Sequence, residues 1–195
     1  MIKNIILDIG GVIFDDGNRN LQKVLNISAE ETKKLSKIAF GGNFKNCLLG
    51  RMNINSHIEI LKQEYPELSN KLEYILSPQN YNKTFPLMED TLNLILEMKK
   101  QGYKIYLLSN ITEASFKYIS DTINLEKYID GGLYSYQEKM AKPDYEFFEK
   151  LFKKYNIEKD ESIFFDDKVK NVQAGNEIGV KSVLFKSIED IKGVI

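Results

Sequence analysis

The chain has one cysteine and one histidine, Cys47 and His57, among its 195 residues. A single thiol cannot close an internal disulfide, and one Cys with one His cannot complete a structural zinc site. A Ser-His-Asp triad would have to be built on His57, which lies in a polar, helix-patterned stretch far from any serine elbow. His57 is therefore expected on a helix surface. A charge excess is missing too. Lys and Arg number 27 against 28 Asp and Glu, a formal net charge of -1, so bulk electrostatics recruit neither nucleic acid nor an anionic membrane. No apolar run approaches the length of a membrane span. The apolar start, Met1 to Val12, is interrupted by Asp8, carries only Lys3 as a basic residue and has no small-residue cleavage site after it. It reads as a buried strand, and a cytoplasmic location is the default expectation.

What is present is an ordinary globular composition, 43% hydrophobic and 28% charged, long enough for one domain or a core with a modest insert. Short β-branched or apolar runs occur at Ile2–Leu7, Lys104–Leu108, Ser162–Phe165 and Val180–Phe185. Amphipathic segments such as Asp90–Gln101 and Tyr145–Tyr155 lie between them. Strands alternating with helices predict an α/β fold with a parallel sheet covered on both faces. From about Leu21 to Leu76 the pattern is helical only, over Ser28–Phe40, Asn55–Tyr65 and Ser69–Leu76. Ser28 and Asn55 open helices with a capping residue followed by acids. This predicts a helical insert over 18–77 between core segments 1–17 and 78–195, with the polar stretch Ser77–Lys83 as its return linker.

Four short stretches end or trail predicted strands, where parallel α/β sheets bind ligands. Leu7-Asp8-Ile9-Gly10-Gly11 puts a carboxylate after a buried strand, where it needs solvent, a partner or a metal, and the glycines let backbone N–H groups approach an anion. Ser109-Asn110-Ile111-Thr112 places a hydroxyl where a strand gives way to a helix, a position suited to phosphate or to an N-cap. In Lys142-Pro143-Asp144, Pro143 suits the first helical position and sets Lys142 at the helix entrance, free to neutralise an anion. Asp166-Asp167 are adjacent carboxylates after an apolar strand, whose repulsion suggests a cation such as Mg²⁺. Each stretch has an ordinary structural explanation alone; their joint occurrence in this order does not.

With these four motifs in order, the chain resembles the haloacid dehalogenase superfamily over most of its length. The resemblance implies a Rossmann-like parallel-sheet core with a small helical cap inserted after the first strand. It implies a Mg²⁺-dependent phosphatase acting on a small phosphorylated metabolite, with a sugar-1-phosphate among the candidates. By the same resemblance Asp8 is the nucleophile that forms an aspartyl-phosphate, and Lys142 neutralises charge beside it. Ile9, Gly10, Ser109, Asn110 and Lys142 would bind the phosphate. Asp8, the Gly10 carbonyl and Asp167 would hold the metal, with Asp166 behind or through water.

One position departs from the family's phosphatases, which mostly carry a second Asp, the general acid and base, where this chain has Gly10. A positioned acid is worth ~10²–10⁴-fold, and its loss matters least for leaving groups that depart unprotonated. The pattern Asp-Ile-Gly-Gly-Val-Ile is similar to a subgroup that includes glucose-1-phosphate phosphatases. Asp15 or Asp16 is close enough in sequence to replace the acid, though a turn or hinge role suits both better. Asn18, Arg19, Asn43, Lys45 and Arg51 are cap candidates for facing the substrate. A 2-haloacid dehalogenase would need no metal and usually lacks paired acids in the fourth motif. A catalytically degenerate binding protein would leave Asp8, Ser109, Lys142, Asp166 and Asp167 unexplained. Oligomeric state is not legible.

Overall fold

A computed structural model describes residues 1–15 and 17–194, and the side chains of Asn18, Arg19 and Glu126 lie outside that description. Five parallel strands form one sheet in the order β3-β2-β1-β4-β5. They are β1 (Asn4–Leu7), β2 (Lys104–Ser109), β3 (Gly131–Tyr134), β4 (Ser162–Asp166) and β5 (Lys181–Leu184). The alternation of β1 explains its central place. Ile5 and Leu7 enter one apolar cluster with Ile105, Leu107, Ile163 and Phe165, while Ile6 enters another with Leu108, Phe147 and Phe164. Both faces are therefore dry and helix-covered, as an all-parallel sheet requires.

On one face lie α7 (Glu89–Lys100), α8 (Glu113–Thr122), α9 (Leu125–Tyr128) and α13 (Ile188–Lys192); on the other lie α11 (Tyr145–Tyr155) and α12 (Val169–Glu177). A short α10 (Ser135–Glu138) follows β3. The α11 boundaries agree with the sequence reading, but Pro143 does not sit at its first position. Asp144 is the N-cap, and its N–H donates to the Ala141 carbonyl at 2.9 Å. That closes a turn around a cis Lys142–Pro143 peptide, so Lys142 belongs to the turn and not to the helix entrance. The strand β3 was not foreseen in sequence, where Gly131 and Gly132 obscure it.

The helical insert consists of α1 (Asn18–Leu25), α2 (Ala29–Ala39), α3 (Phe44–Leu48), α4 (Ile54–Glu64) and α5 (Ser69–Leu76). Ser28 caps α2 in a full capping box with Glu31, as the sequence predicts. Asn53, two residues before the expected position, caps α4 by accepting from the Ser56 N–H at 2.8 Å. The insert has its own core, built on Leu21, Leu35, Ala39, Ile54, Ile58, Leu61, Leu72 and Ile75. Ser77–Lys83 is not an extended linker: it forms a 3₁₀ turn over Pro78–Asn80 and then α6 (Tyr81–Thr84). The chain crosses back beside the place it left. Phe14 bridges Leu87 in antiparallel fashion, the Asp15 N–H donates to Pro86 at 2.9 Å and the Met88 N–H donates to Ile13 at 2.8 Å.

His57 is not a helix-surface residue. It is 1% exposed, on the same α4 stripe as Ile54, Ile58 and Leu61, and its Nε2 lies 2.9 Å from the Ala39 carbonyl at the end of α2. The stripe follows the i, i+3, i+4, i+7 spacing, which places His57 inside. Among the described residues, no helix is long and apolar enough to cross a membrane.

Candidate active site

The parallel register brings three of the four motifs to one edge of the sheet. Leu7 pairs with Leu107 on one side and Phe165 on the other, so Asp8 emerges between Ser109 and Asp166 at the strands' carboxyl ends. The Asp8 N–H donates to the Phe165 carbonyl at 3.0 Å, one last rung that fixes the backbone below the carboxylate. Lys142 arrives from the turn after α10, and the side chain of Asn110 holds it there. Asn110 Nδ2 donates to the Lys142 carbonyl and Asn110 Oδ1 accepts from the Lys142 N–H, both at 2.8 Å. The amide of Asn110 thus positions Lys142.

The Lys142 ammonium is fully buried between two carboxylates, 3.0 Å from Asp8 Oδ2 and 2.6 Å from Asp166 Oδ2. Its nitrogen also lies 5.3 Å from the centre of the Phe164 ring. Burial acts to lower its pKa, but the combined pull of Asp8 and Asp166 raises it, so it remains charged. Asp166 is wholly buried yet saturated. Beyond Lys142, it accepts from the Lys168 N–H at 2.8 Å and from Asn171 Nδ2 at 2.9 Å to each oxygen. Burial acts to raise its carboxyl; the Lys142 charge and these donors outweigh burial and hold it below the ordinary value.

Asp8 is placed differently. Its Oδ1 accepts from the Ile9 N–H at 2.7 Å, and it takes a further hydrogen bond from the Ser109 hydroxyl. Burial is the largest influence on it; Lys142 opposes burial and Asp166 reinforces it, leaving the Asp8 carboxyl pushed up to about 7. One ammonium is shared here between two buried carboxylates.

The carboxylate oxygens of Asp8, Asp166 and Asp167 lie within 4.8 Å of one another. Asp167 Oδ1 is buried with no hydrogen-bond partner among the described residues, while its Oδ2 pairs with Lys168. Oxygen donors of this kind suit Mg²⁺, and the orphaned Asp167 atom points to that ligand where the saturated Asp166 does not. Gly11, the second turn glycine of the first motif, makes this possible. Its φ is 72°, and a Cβ there would come within 2.5 Å of Asp167 Cγ. The left-handed turn and the close approach both require glycine. Asn171 was missed as the residue that orients Asp166; its signal was an amide one helical turn beyond the paired acids.

Two alternatives that the sequence left open are resolved. The cap of α8 is Thr112, which accepts from the Ser115 N–H at 3.1 Å, so Ser109 is not an N-cap and its hydroxyl stays on Asp8. Asp15 Oδ1 accepts from the Gly17 N–H at 2.7 Å, the turn role considered above; Asp16 lies outside the described residues. Gly10 and Ile9 line the cavity beside Asp8.

This geometry agrees with what comparison shows. A model of the haloacid dehalogenase-like hydrolase family matches residues 2–179. The chain is 29% identical over 191 residues to D-ribitol-5-phosphate phosphatase of Bacteroides thetaiotaomicron, covering 93% of this chain and 91% of that one. A sesquiterpene phosphatase of Aspergillus oryzae is 35% identical over 88 residues, 45% of each chain. A solved HAD-family enzyme of B. thetaiotaomicron, in its magnesium complex, matches with a TM-score of 0.76 at 25% identity, over 99% of this chain and 98% of that one. The chain belongs to the haloacid dehalogenase-like hydrolases.

Proposed function

We propose that this hydrolase is a Mg²⁺-dependent phosphatase that cleaves a small phosphate monoester through Asp8. The enzyme is a phosphoric monoester hydrolase; the metal, the nucleophile and the substrate are the proposed parts. The observation that carries the reading is the buried chain Asp8–Lys142–Asp166 with the unpartnered Asp167 oxygen beside it. An ordinary strand-end carboxylate has no use for a dry lysine and an orphaned neighbour.

In the reaction, Asp8 forms a bond to phosphorus as the phosphorus–oxygen bond to the alcohol breaks, and its electron pair stays on the alcohol oxygen, which takes a proton from solvent. Water then attacks phosphorus, gives up a proton to solvent and returns Asp8 as a carboxylate, so ester and water become alcohol and phosphate. Lys142 balances the charge of Asp8 and the entering phosphoryl oxygens, Ser109 orients the nucleophile, and Asp166 with Asn171 fixes Lys142 in place. Asp8, Asp167 and the Gly10 carbonyl would hold Mg²⁺, with Asp166 behind them. When bound, the ion supplies positive charge against the phosphoryl oxygens and favours the ionised form of Asp8. The paired acids of the fourth motif argue for this reading over a metal-free dehalogenase.

The relatives do not select the substrate, since one acts on a polyol phosphate and another on a sesquiterpene phosphate by their names. Hydrolysis of p-nitrophenyl phosphate with Mg²⁺ tests the chemistry. Asp8→Asn is expected to reduce turnover to background with an unchanged melting temperature, and EDTA to silence the wild type. Activity persisting in both would remove Asp8 and the metal from the mechanism.

A further inference from the structure

Beyond Asp8 the cavity opens to about 390 Å³ between core and cap, within the range of small-molecule sites. Its floor is the charged cluster; its wall is of another kind. Phe40, Phe44 and Leu48 face it from the cap, and Phe14, Phe85 and Tyr118 from the core and the crossing. Phe40 and Phe44 meet edge to face with centroids 5.2 Å apart, and Phe44 rests 5.6 Å from the ring of His57. Tyr118 is held between Phe14 at 6.2 Å and Tyr81 at 5.6 Å. The rings brace one another, so the wall is built before a ligand arrives.

Three hydroxyls in this half of the cavity are engaged with one another. Thr112 Oγ1 and Ser115 Oγ are 2.9 Å apart, and the Tyr81 hydroxyl hydrogen-bonds to both residues. The polar cap residues expected to read a substrate do not reach it. Asn43, Lys45 and Arg51 are exposed and do not line the cavity; the side chains of Asn18 and Arg19 lie outside the described residues.

We propose that the substrate is the monophosphate of a compact apolar alcohol, aromatic or branched aliphatic, and not of a polyhydroxy sugar. This rests on the phosphatase reading above and names its substrate class. A polyol entering this wall would surrender its water to aromatic faces, and each hydroxyl left without a partner costs on the order of tenfold in affinity. An apolar alcohol gains from the same burial.

The test measures binding apart from turnover. With Asp8→Asn and Mg²⁺, calorimetry compares benzyl phosphate, ribitol 5-phosphate and inorganic phosphate. Benzyl phosphate is expected to bind at least tenfold more tightly than ribitol 5-phosphate. Adding Phe44→Gln, or Phe85→Gln from the opposite wall should the first fail to fold, is expected to cut that ratio at least fivefold while the affinity for inorganic phosphate stays within twofold. Equal or tighter binding of ribitol 5-phosphate overturns the substrate class alone, provided the wild type hydrolyses either ester. No binding of inorganic phosphate together with no hydrolysis by the wild type overturns the phosphatase reading and this proposal with it.

Discussion

The floor and the wall of the cavity obey opposite rules. On the floor nearly every polar atom has a named partner, and the ammonium of Lys142 is as buried as a core leucine. On the wall, the rings of Phe40, Phe44 and Phe85 present carbon, and the hydroxyls of Thr112, Ser115 and Tyr81 are occupied by one another. The floor is made from strand ends, whose backbone is fixed by the ladder; the wall is assembled from a helix end, a short helix and the crossing. On the proposed reading, chemistry belongs to the strand ends and discrimination to the helical wall. The floor should respond to substitution through rate and metal affinity, and the wall through the choice of substrate.

The largest effect that tests this division is at Lys142. Lys142→Ala leaves Asp8 and Asp166 facing each other with no counter-charge, and breaking a buried pair costs ~3–5 kcal/mol. Turnover is expected to fall by about 10²–10³-fold and the melting temperature to drop; an unchanged kcat/KM for p-nitrophenyl phosphate would make Lys142 structural only. Next come the paired acids. Asp167→Asn is expected to raise the Mg²⁺ concentration needed for half-maximal activity by at least about tenfold, ~1.4 kcal/mol, with stability little altered. Asp166→Asn is expected to do the reverse, lowering stability through Lys142 and Asn171. A titration showing the opposite order would exchange their roles.

The smallest effect lies away from both floor and wall. The Asp130 carboxylate accepts from the Ile105 N–H at 3.0 Å and pairs with Lys99 and Lys104 at 3.1 Å each. Burial acts to raise it, but these partners hold it below the ordinary carboxylate value. Its folded pKa is thus below the unfolded value of about 3.9, so its contribution is full above that pH and is lost as pH falls through the folded value. Asp130→Asn is expected to cost up to ~1 kcal/mol at neutral pH, with the difference shrinking below about pH 3.9 and kcat unchanged throughout. Denaturant melts across pH would show it; a difference that persists in acid would assign the loss to the Ile105 hydrogen bond instead of the charge.

Much of the floor was legible in the sequence because Asp8, Ser109 and Asp166 stand where hydrophobic strands stop, and the register brings them together; Lys142 alone comes in from a distant turn. What escaped had no such frame. The positioning roles of Asn110 and Asn171 depend on side-chain reach across motifs, which spacing along the chain does not encode. The strand β3 was hidden by Gly131 and Gly132, residues of low strand preference, present because Tyr155 packs where a Gly131 Cβ would be, 2.3 Å from its Cε1. The wall was missed for a different reason. Polar cap residues drew attention as readers of a substrate, whereas the residues that face the cavity are apolar ones that any core would also use. His57 was misplaced by the same habit, since a histidine within an apolar stripe is still on the stripe.

The crossing between Phe14–Asp15 and Pro86–Met88 bears on how such an enzyme is inherited and rebuilt. The core meets the entire insert as if it were a hairpin, because the two passing segments are hydrogen-bonded side by side. Closure entropy grows only slowly with the length enclosed, roughly 0.6 kcal/mol for each doubling, so the core is nearly indifferent to what is carried there. A foreign cap with its own apolar centre could be spliced at this point without disturbing the sheet edge. The constraint it must meet is local: carbonyls placed where Leu48 now accepts from the Ser135 hydroxyl at 2.6 Å and Gly50 from the Lys139 ammonium at 3.0 Å, since that serine also receives the Ile111 N–H of the loop after β2. A cap is exchangeable, then, to the extent that it presents those two carbonyls and closes on the same two crossing segments.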